Sequence, residues 1–187
     1  MYSWLDGFGP AQQGGIDARR FRQSLGGFTT GVCLVSAVSE AGKREGMTIN
    51  SFASVSLDPP LVLWSIRDDA RSVDIFLSAR HFVISVLAAS QRELAMHFAR
   101  PTPDKFASCE AQFELGIGGC PRLREAVSTY ECTTYSRHKE GDHSILLGKV
   151  ERFTHSAELP ALVYHAGQMG SVPELALAMQ AAVPAGA

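Results

Sequence analysis

The chain has no stretch approaching the ~20 consecutive apolar residues that a bilayer-spanning helix needs, so no membrane partner is expected. Basic residues never run longer than a pair, and the formal net charge is -2. The concentrated positive face that grips a phosphate backbone is therefore missing, and no nucleic acid is expected. Cysteine is scarce: Cys33, Cys109, Cys120 and Cys132. None forms a C-x-x-C pair and no histidine cluster stands at zinc-ligand spacing, so no metal is expected. Cys33 and Cys132 lie within expected strands, where a free thiol packs as a small hydrophobe, and such usage suits a reducing compartment. The opening segment MYSWLDGFGPAQQGG lacks a basic region followed by an apolar core. A secretory signal is not expected, and the cytoplasm is the expected location. No Gly-x-Gly-x-x-Gly joins a strand to a helix, which removes support for a Rossmann domain. Nor is there a Ser-His-Asp set, a carboxylate pair or a metal cluster with which to build a hydrolase.

What remains is a chain of 187 residues, 45% hydrophobic, long enough for one domain with a real core. Residues 1–15, rich in Gly, Pro and Gln, read as an N-terminal arm, and 16–187 as a single domain. Asp17 is placed to cap a helix over 18–25. Apolar, β-branched runs at 32–38, 61–66 and 81–87 predict buried strands, the second of them interior on both faces. Leu94, Ala95 and Phe98 recur at helical spacing within 91–99. Residues 128–137 and 144–153 predict two further strands flanking a turn at 138–141. A short Ala/Leu helix is expected over 173–182. Short strands with frequent turn signals indicate a mainly β protein, a β-barrel with a few peripheral helices.

Residues 46–60, GMTINSFASVSLDPP, are unlike the rest. Thr48, Asn50, Ser51, Ser54 and Ser56 alternate with Met47, Ile49, Phe52, Val55 and Leu57. A core strand would not carry so many hydroxyls, and a solvent loop would not need so many apolar residues. The mixture suits a wall that holds a half-polar ligand. It also suits a Ser/Thr-rich turn between two strands.

The order Thr-x-Asn-Ser-Phe-x-Ser-Val-Ser-x-x-Pro-Pro, followed by an apolar strand, resembles the flavin reductase family. The similarity runs from about Phe21 to about Gly167. Further segments fall in the family's order: Thr30-Gly31-Val32, Arg71-Ser72, the strand at 81–87, Asp104-Lys105-Phe106, Gly141-Asp142-His143, and Tyr164-His165-x-Gly167. The strand has Ser85 where the family has Asn, and Met169 stands where the family often has an aromatic residue. The resemblance implies a split β-barrel that binds FMN or FAD and forms a homodimer. It implies flavin contacts at Thr30, Gly31, Thr48, Asn50, Ser51, Ser54, Val55, Ser56, Lys105 and Phe106. Arg71 and Ser72 fall near the flavin phosphate, with Ser72 capping a short helix. On the nicotinamide side it implies His143, oriented by Asp142, together with Tyr164, His165 and Gly167.

Three functions are compatible with these residues. The first is an enzyme in which NADH or NADPH reduces a flavin that then serves a partner flavin-dependent monooxygenase. There the cofactor carries the chemistry, which explains the missing nucleophile and base, and any dinucleotide must lie in an open cleft. The second is a flavin carrier or redox sensor without reductase turnover. The third, an oxidase of pyridoxamine phosphate on a related barrel, calls for a more basic pocket than this sequence provides.

Overall fold

The computed structural model describes residues 15–171. Residues 1–14 of the expected arm and the expected helix at 173–182 lie outside them.

The chain forms α1 (Ala18–Leu25), β1 (Thr30–Gly31), β2 (Cys33–Val38), β3 (Arg44–Ile49), β4 (Ala53–Leu57), β5 (Pro60–Arg67), α2 (Val73–Ser78), β6 (His81–Val86), α3 (Arg92–Ala99), β7 (Phe113–Leu115), β8 (Pro121–Leu123), β9 (Ser128–Glu140), β10 (His143–His155), β11 (Val163–His165) and β12 (Gln168–Gly170). Local chemistry accounts for many boundaries. The Asp17 carboxylate accepts from the Arg19 and Arg20 amides at 2.8 and 3.1 Å, satisfying donors that the first turn of α1 leaves free. Gly42, with φ 78°, lets the β2–β3 hairpin close. Gly141, with φ 64°, stands first in the two-residue turn between Glu140 and His143, so β9 and β10 pair up to that turn. The expected turn at 138–141 is thus shorter than its composition suggested, because one glycine suffices.

Seven strands make one antiparallel sheet in the order β3-β2-β6-β9-β10-β5-β4. Its two edge strands, β3 and β4, are consecutive in sequence and only residues 50–52 join them. Ile49 and Ala53 can therefore be no more than about 14 Å apart, and the sheet must curl until its edges approach at that end. The edges do not pair, so the barrel is split, as expected. A small sheet, β1-β11-β12, lies apart from it. The Thr30-Gly31 step therefore does not start the barrel: it pairs with Tyr164 and Val163, and the first barrel strand begins at Cys33.

Strand alternation divides the buried residues into two cores. Cys33, Val35 and Ala37 of β2 point into the barrel with Val62, Trp64, Ile66, Phe82, Ile84 and Leu146. Trp64 is fully buried and meets Phe76 of α2 and Phe82 edge-on, with ring centroids 5.1 and 6.0 Å away. Leu34, on the opposite face of β2, packs with Leu94, Ala95 and Phe98 of α3 and with Phe106, Phe113 and Leu162. Burial on both faces explains the apolar run of β2, broken only by Ser36, whose buried hydroxyl donates to the Pro121 carbonyl. Each large side chain so buried contributes about 1.5–3 kcal/mol. The second face of β5 differs from expectation. Leu61, Leu63 and Ser65 are only half-buried, because β5 lies next to an edge strand and that face is the outside of the barrel.

Candidate functional site

The edge strand β3 floors an open cleft of three connected parts. The first, about 400 Å³, is lined by Met47, Thr48, Ile49, Asn50, Ser51, Ser65, Ile66, Arg67, Asp69, Ala70 and His143. Met47, Asp69 and Ala70 are shared with a second part of about 540 Å³, where Arg71, Ser72, Lys43, Arg100 and Lys105 gather. Thr48, Ile49 and Asn50 are shared with a third part of about 190 Å³ that ends on Tyr164 and Met169. Apolar Met47, Ile49, Ile66 and Ala70 form the floor, and amide, guanidinium and imidazole groups stand at the rim. A half-polar planar ligand suits such a surface.

Register, not proximity in sequence, brings His143 here. It lies opposite Arg67 across the β10–β5 ladder. The turn that carries it is tied down at several points. The Asp68 amide donates to the Asp142 carbonyl at 3.0 Å. The Ser144 hydroxyl donates to the Asp68 carboxylate at 2.7 Å, and Lys139 Nζ stands 3.3 Å from the same carboxylate. The Ser144 hydrogen bond, reinforced by Lys139, holds the Asp68 carboxyl below its usual range. His143 Nδ1 is 2.7 Å from the Asp142 carboxylate. A carboxylate has no proton to give, so Nδ1 is the donor and Nε2 is left to face a ligand. That hydrogen bond likewise lowers the Asp142 pKa. Arg67 is held by Asp69, 2.6 Å away.

The expected flavin wall divides in two. Asn50 and Ser51 line the cleft, whereas Ser54 and Ser56 line a separate groove of about 850 Å³ with Phe52, Leu57, Leu61, Tyr130, Val150 and Phe153. The cause is the loop at 50–52, which carries the chain from one edge of the sheet to the other; within β4, Val55 is an extra residue between the pairs Ser54–Val62 and Ser56–Leu61. Within the cleft, some hydroxyls already have partners. Thr48 Oγ1 donates to the Ala95 carbonyl at 2.6 Å, and Ser51 Oγ bonds the Ser65 backbone.

Lys105 and Phe106 serve the scaffold. Phe106 is 1% exposed, its ring wedged between Phe98 and Phe113 with no surface to offer a ligand. Lys105 Nζ donates to the carbonyls of Gly46 and Phe98 at 2.8 and 3.0 Å, tying β3 to the end of α3, and burial lowers its pKa. Gly46 belongs to the same clamp: a Cβ there would lie 2.7 Å from Phe98. Ser72 lines the cleft without capping its helix. Thr30 Oγ1 is buried without a partner among the described residues, and Gly31 is exposed beside it. Tyr164 faces the third part of the cleft. His165, the next residue along the strand, turns away and meets Thr29 Oγ1 at 2.9 Å. Gly167, with φ 86°, serves the β11–β12 turn. Sequence reasoning missed Arg67, Lys43 and Arg100 as cleft residues. Their only local signal was charge, and strand register supplied the rest.

The profile described as "Flavin reductase like domain" matches residues 25–173. The chain belongs to the flavin reductase family. Among relatives of this family member, the "FMN reductase (NADH) SmoA" of Agrobacterium fabrum is 41% identical over 157 residues, 84% of this chain and 87% of that protein. The "Flavin-dependent trigonelline monooxygenase, reductase component" of Acinetobacter baylyi is 40% identical over 152 residues, 80% of this chain and 47% of its own length. A Rhizobium meliloti relative is likewise spanned over only 45% of its length. The "NADH:FAD oxidoreductase SgcE6" of Streptomyces globisporus, solved in complex with NAD and FAD fragments, superposes with a TM-score of 0.76. It is 35% identical, over 82% of this chain and 91% of that one.

Proposed function

We propose that this flavin reductase family member is an NAD(P)H-dependent flavin reductase that supplies reduced flavin to a partner flavin-dependent monooxygenase. One observation carries the reading: an apolar floor with Asn50, Arg67 and an Asp142-oriented His143 on one side, continuing into a cation-lined groove at Arg71 and Ser72. That donor set fits a flavin. The floor offers Met47, Ile49, Ile66 and Ala70 to the ring system, Asn50 offers both a donor and an acceptor, and the guanidinium groups suit phosphate. When bound together, the flavin and the nicotinamide supply the redox chemistry, a hydride passing from one to the other.

The protein supplies orientation. Asp142 fixes the tautomer of His143, so Nε2 accepts a hydrogen bond from an amide donor when the ring is neutral. Lys105 and Ser51 hold the two sides of the cleft at a fixed spacing. The arrangement needs neither a nucleophile nor a strong base, which agrees with the sequence.

The same reading includes a homodimer of single-domain chains in the cytoplasm. Leu57 is 95% and Phe153 71% exposed beside the groove of Ser54 and Ser56, an apolar surface suited to a second copy. The described cysteines are free, and among the described residues no helix is long and apolar enough to cross a membrane.

The test is oxidation of NADH and NADPH by the purified protein in air, with FMN, FAD or riboflavin. Flavin-dependent turnover is expected. Tight flavin binding without turnover would identify a carrier or sensor instead, and light scattering that gives a monomer at micromolar concentration would remove the dimer.

A further inference from the structure

The groove that holds Arg71 and Ser72 does not end at them. At about 540 Å³ it is itself the size of a small-molecule site, more than a terminal phosphate fills. Lys43, Glu45 and Met47 alternate along the β3 segment and line it together. Met47 is the junction with the His143 compartment, and four residues of extended chain carry Lys43 roughly 13 Å beyond it.

The charges along this groove are unevenly matched. Glu45 stands 3.9 Å from both Lys43 and Lys105. Asp69 is engaged by Arg67 at 2.6 Å. Lys105 is committed to two backbone carbonyls. Arg71 and Arg100 reach the groove from two different segments, the β5–α2 loop and the end of α3. Neither has an ion pair or a side-chain hydrogen bond among the described residues. One guanidinium fork suits one phosphate. Two unengaged forks on one elongated groove suit two linked phosphates. Next to Arg100, Ala99, Pro101 and Pro103 offer apolar surface to a base.

We infer that the second part of the cleft takes the pyrophosphate and adenylate half of a dinucleotide flavin, and that the chain binds FAD in preference to FMN. Arg71 meets the phosphate that the two flavins share, whereas Arg100 and Lys43 meet the part that only FAD possesses. This rests on the flavin reading above.

Calorimetric titration of the purified protein with FAD, FMN, riboflavin and ADP tests it without turnover. FAD is expected to bind at least tenfold more tightly than FMN, and ADP to compete with FAD. Arg100 is exposed, so Arg100→Ala should keep the melting temperature of the parent. It should weaken FAD about 5- to 50-fold, the range of one charge-assisted contact at a partly exposed site, and FMN less than about twofold. Lys43→Ala should act in the same sense. The inference is overturned if FAD and FMN bind within threefold of each other, if Arg100→Ala weakens both equally, or if ADP fails to compete. Binding of no flavin at all would instead bring down the flavin reading, and this inference with it.

Discussion

The Ser51 hydroxyl donates to the Ser65 carbonyl and accepts from the Ser65 amide, each at 3.0 Å. It stands in for a strand. β4 begins at Ala53 opposite Leu63, so the open edge of β5 beyond that pair would otherwise have no partner. A side chain fills the place, and the loop at 50–52 is pinned where the barrel edges approach. Ser51→Ala leaves a half-buried N–H and C=O unpaired. The expected loss is about 1–3 kcal/mol in urea denaturation, with weaker flavin binding as Asn50 loses its anchor. An unchanged midpoint would show that water replaces the hydroxyl.

His143 is held by Asp142 but faces the cleft. His143→Ala should leave flavin affinity unchanged and raise the apparent KM for the nicotinamide nucleotide roughly 2- to 13-fold, the worth of one uncharged hydrogen bond. A proton-transfer role would instead place a pH-dependent loss of about 100-fold or more in kcat. Stopped-flow flavin reduction between pH 5 and 9 separates the two. If neither KM nor the reduction rate changes, His143 is only a turn residue.

Gly148 is required by its neighbours. A Cβ there would drive into the Phe82 ring and stand 2.9 Å from the Cys132 Cβ. Gly148→Ala should cost about 1–3 kcal/mol by overpacking. Combined with Phe82→Leu, the two losses should not add, because the smaller side chain vacates the same space. Additive losses in thermal unfolding would contradict this packing.

Buried thiols are expected to contribute to the alkaline limit of stability. Burial pushes Cys33 and Cys132 from 9.0 up to about 12, and Cys120 up to about 11. These groups bind protons more tightly in the folded chain, so their contribution is complete below pH 9. It is lost as pH rises from 9 toward 11 to 12, where the unfolded chain has released protons that the folded chain retains. The expected slope is about 1.4 kcal/mol per pH unit for each such thiol. In denaturant titrations between pH 8.5 and 10.5, Cys33→Ala and Cys132→Ala should flatten that slope even where they lower stability at neutral pH. An unaltered slope would show that other groups govern it.

The sequence by itself determined the local pieces. Asp17 caps α1 because a carboxylate preceding a helix finds free amides within two and three residues. Apolar runs marked β2, β5 and β6, and helical spacing marked α3. The family was also legible, in the order of short motifs along the chain. The tertiary structure alone decided which faces meet. Ser54 and Ser56 parted from Asn50 where the loop at 50–52 crosses from one sheet edge to the other, Phe106 turned into the core against Phe98, and β9 ran on to Glu140. His143 reached Arg67, and Ser51 reached Ser65, only through pairings between strands distant in sequence. Periodicity and turn chemistry depend on a residue and its near neighbours, so a single chain displays them. Register depends on which strands pair and how far each slides. That is settled by filling one barrel interior with Trp64, Phe76 and Phe82, a condition on the whole sheet at once.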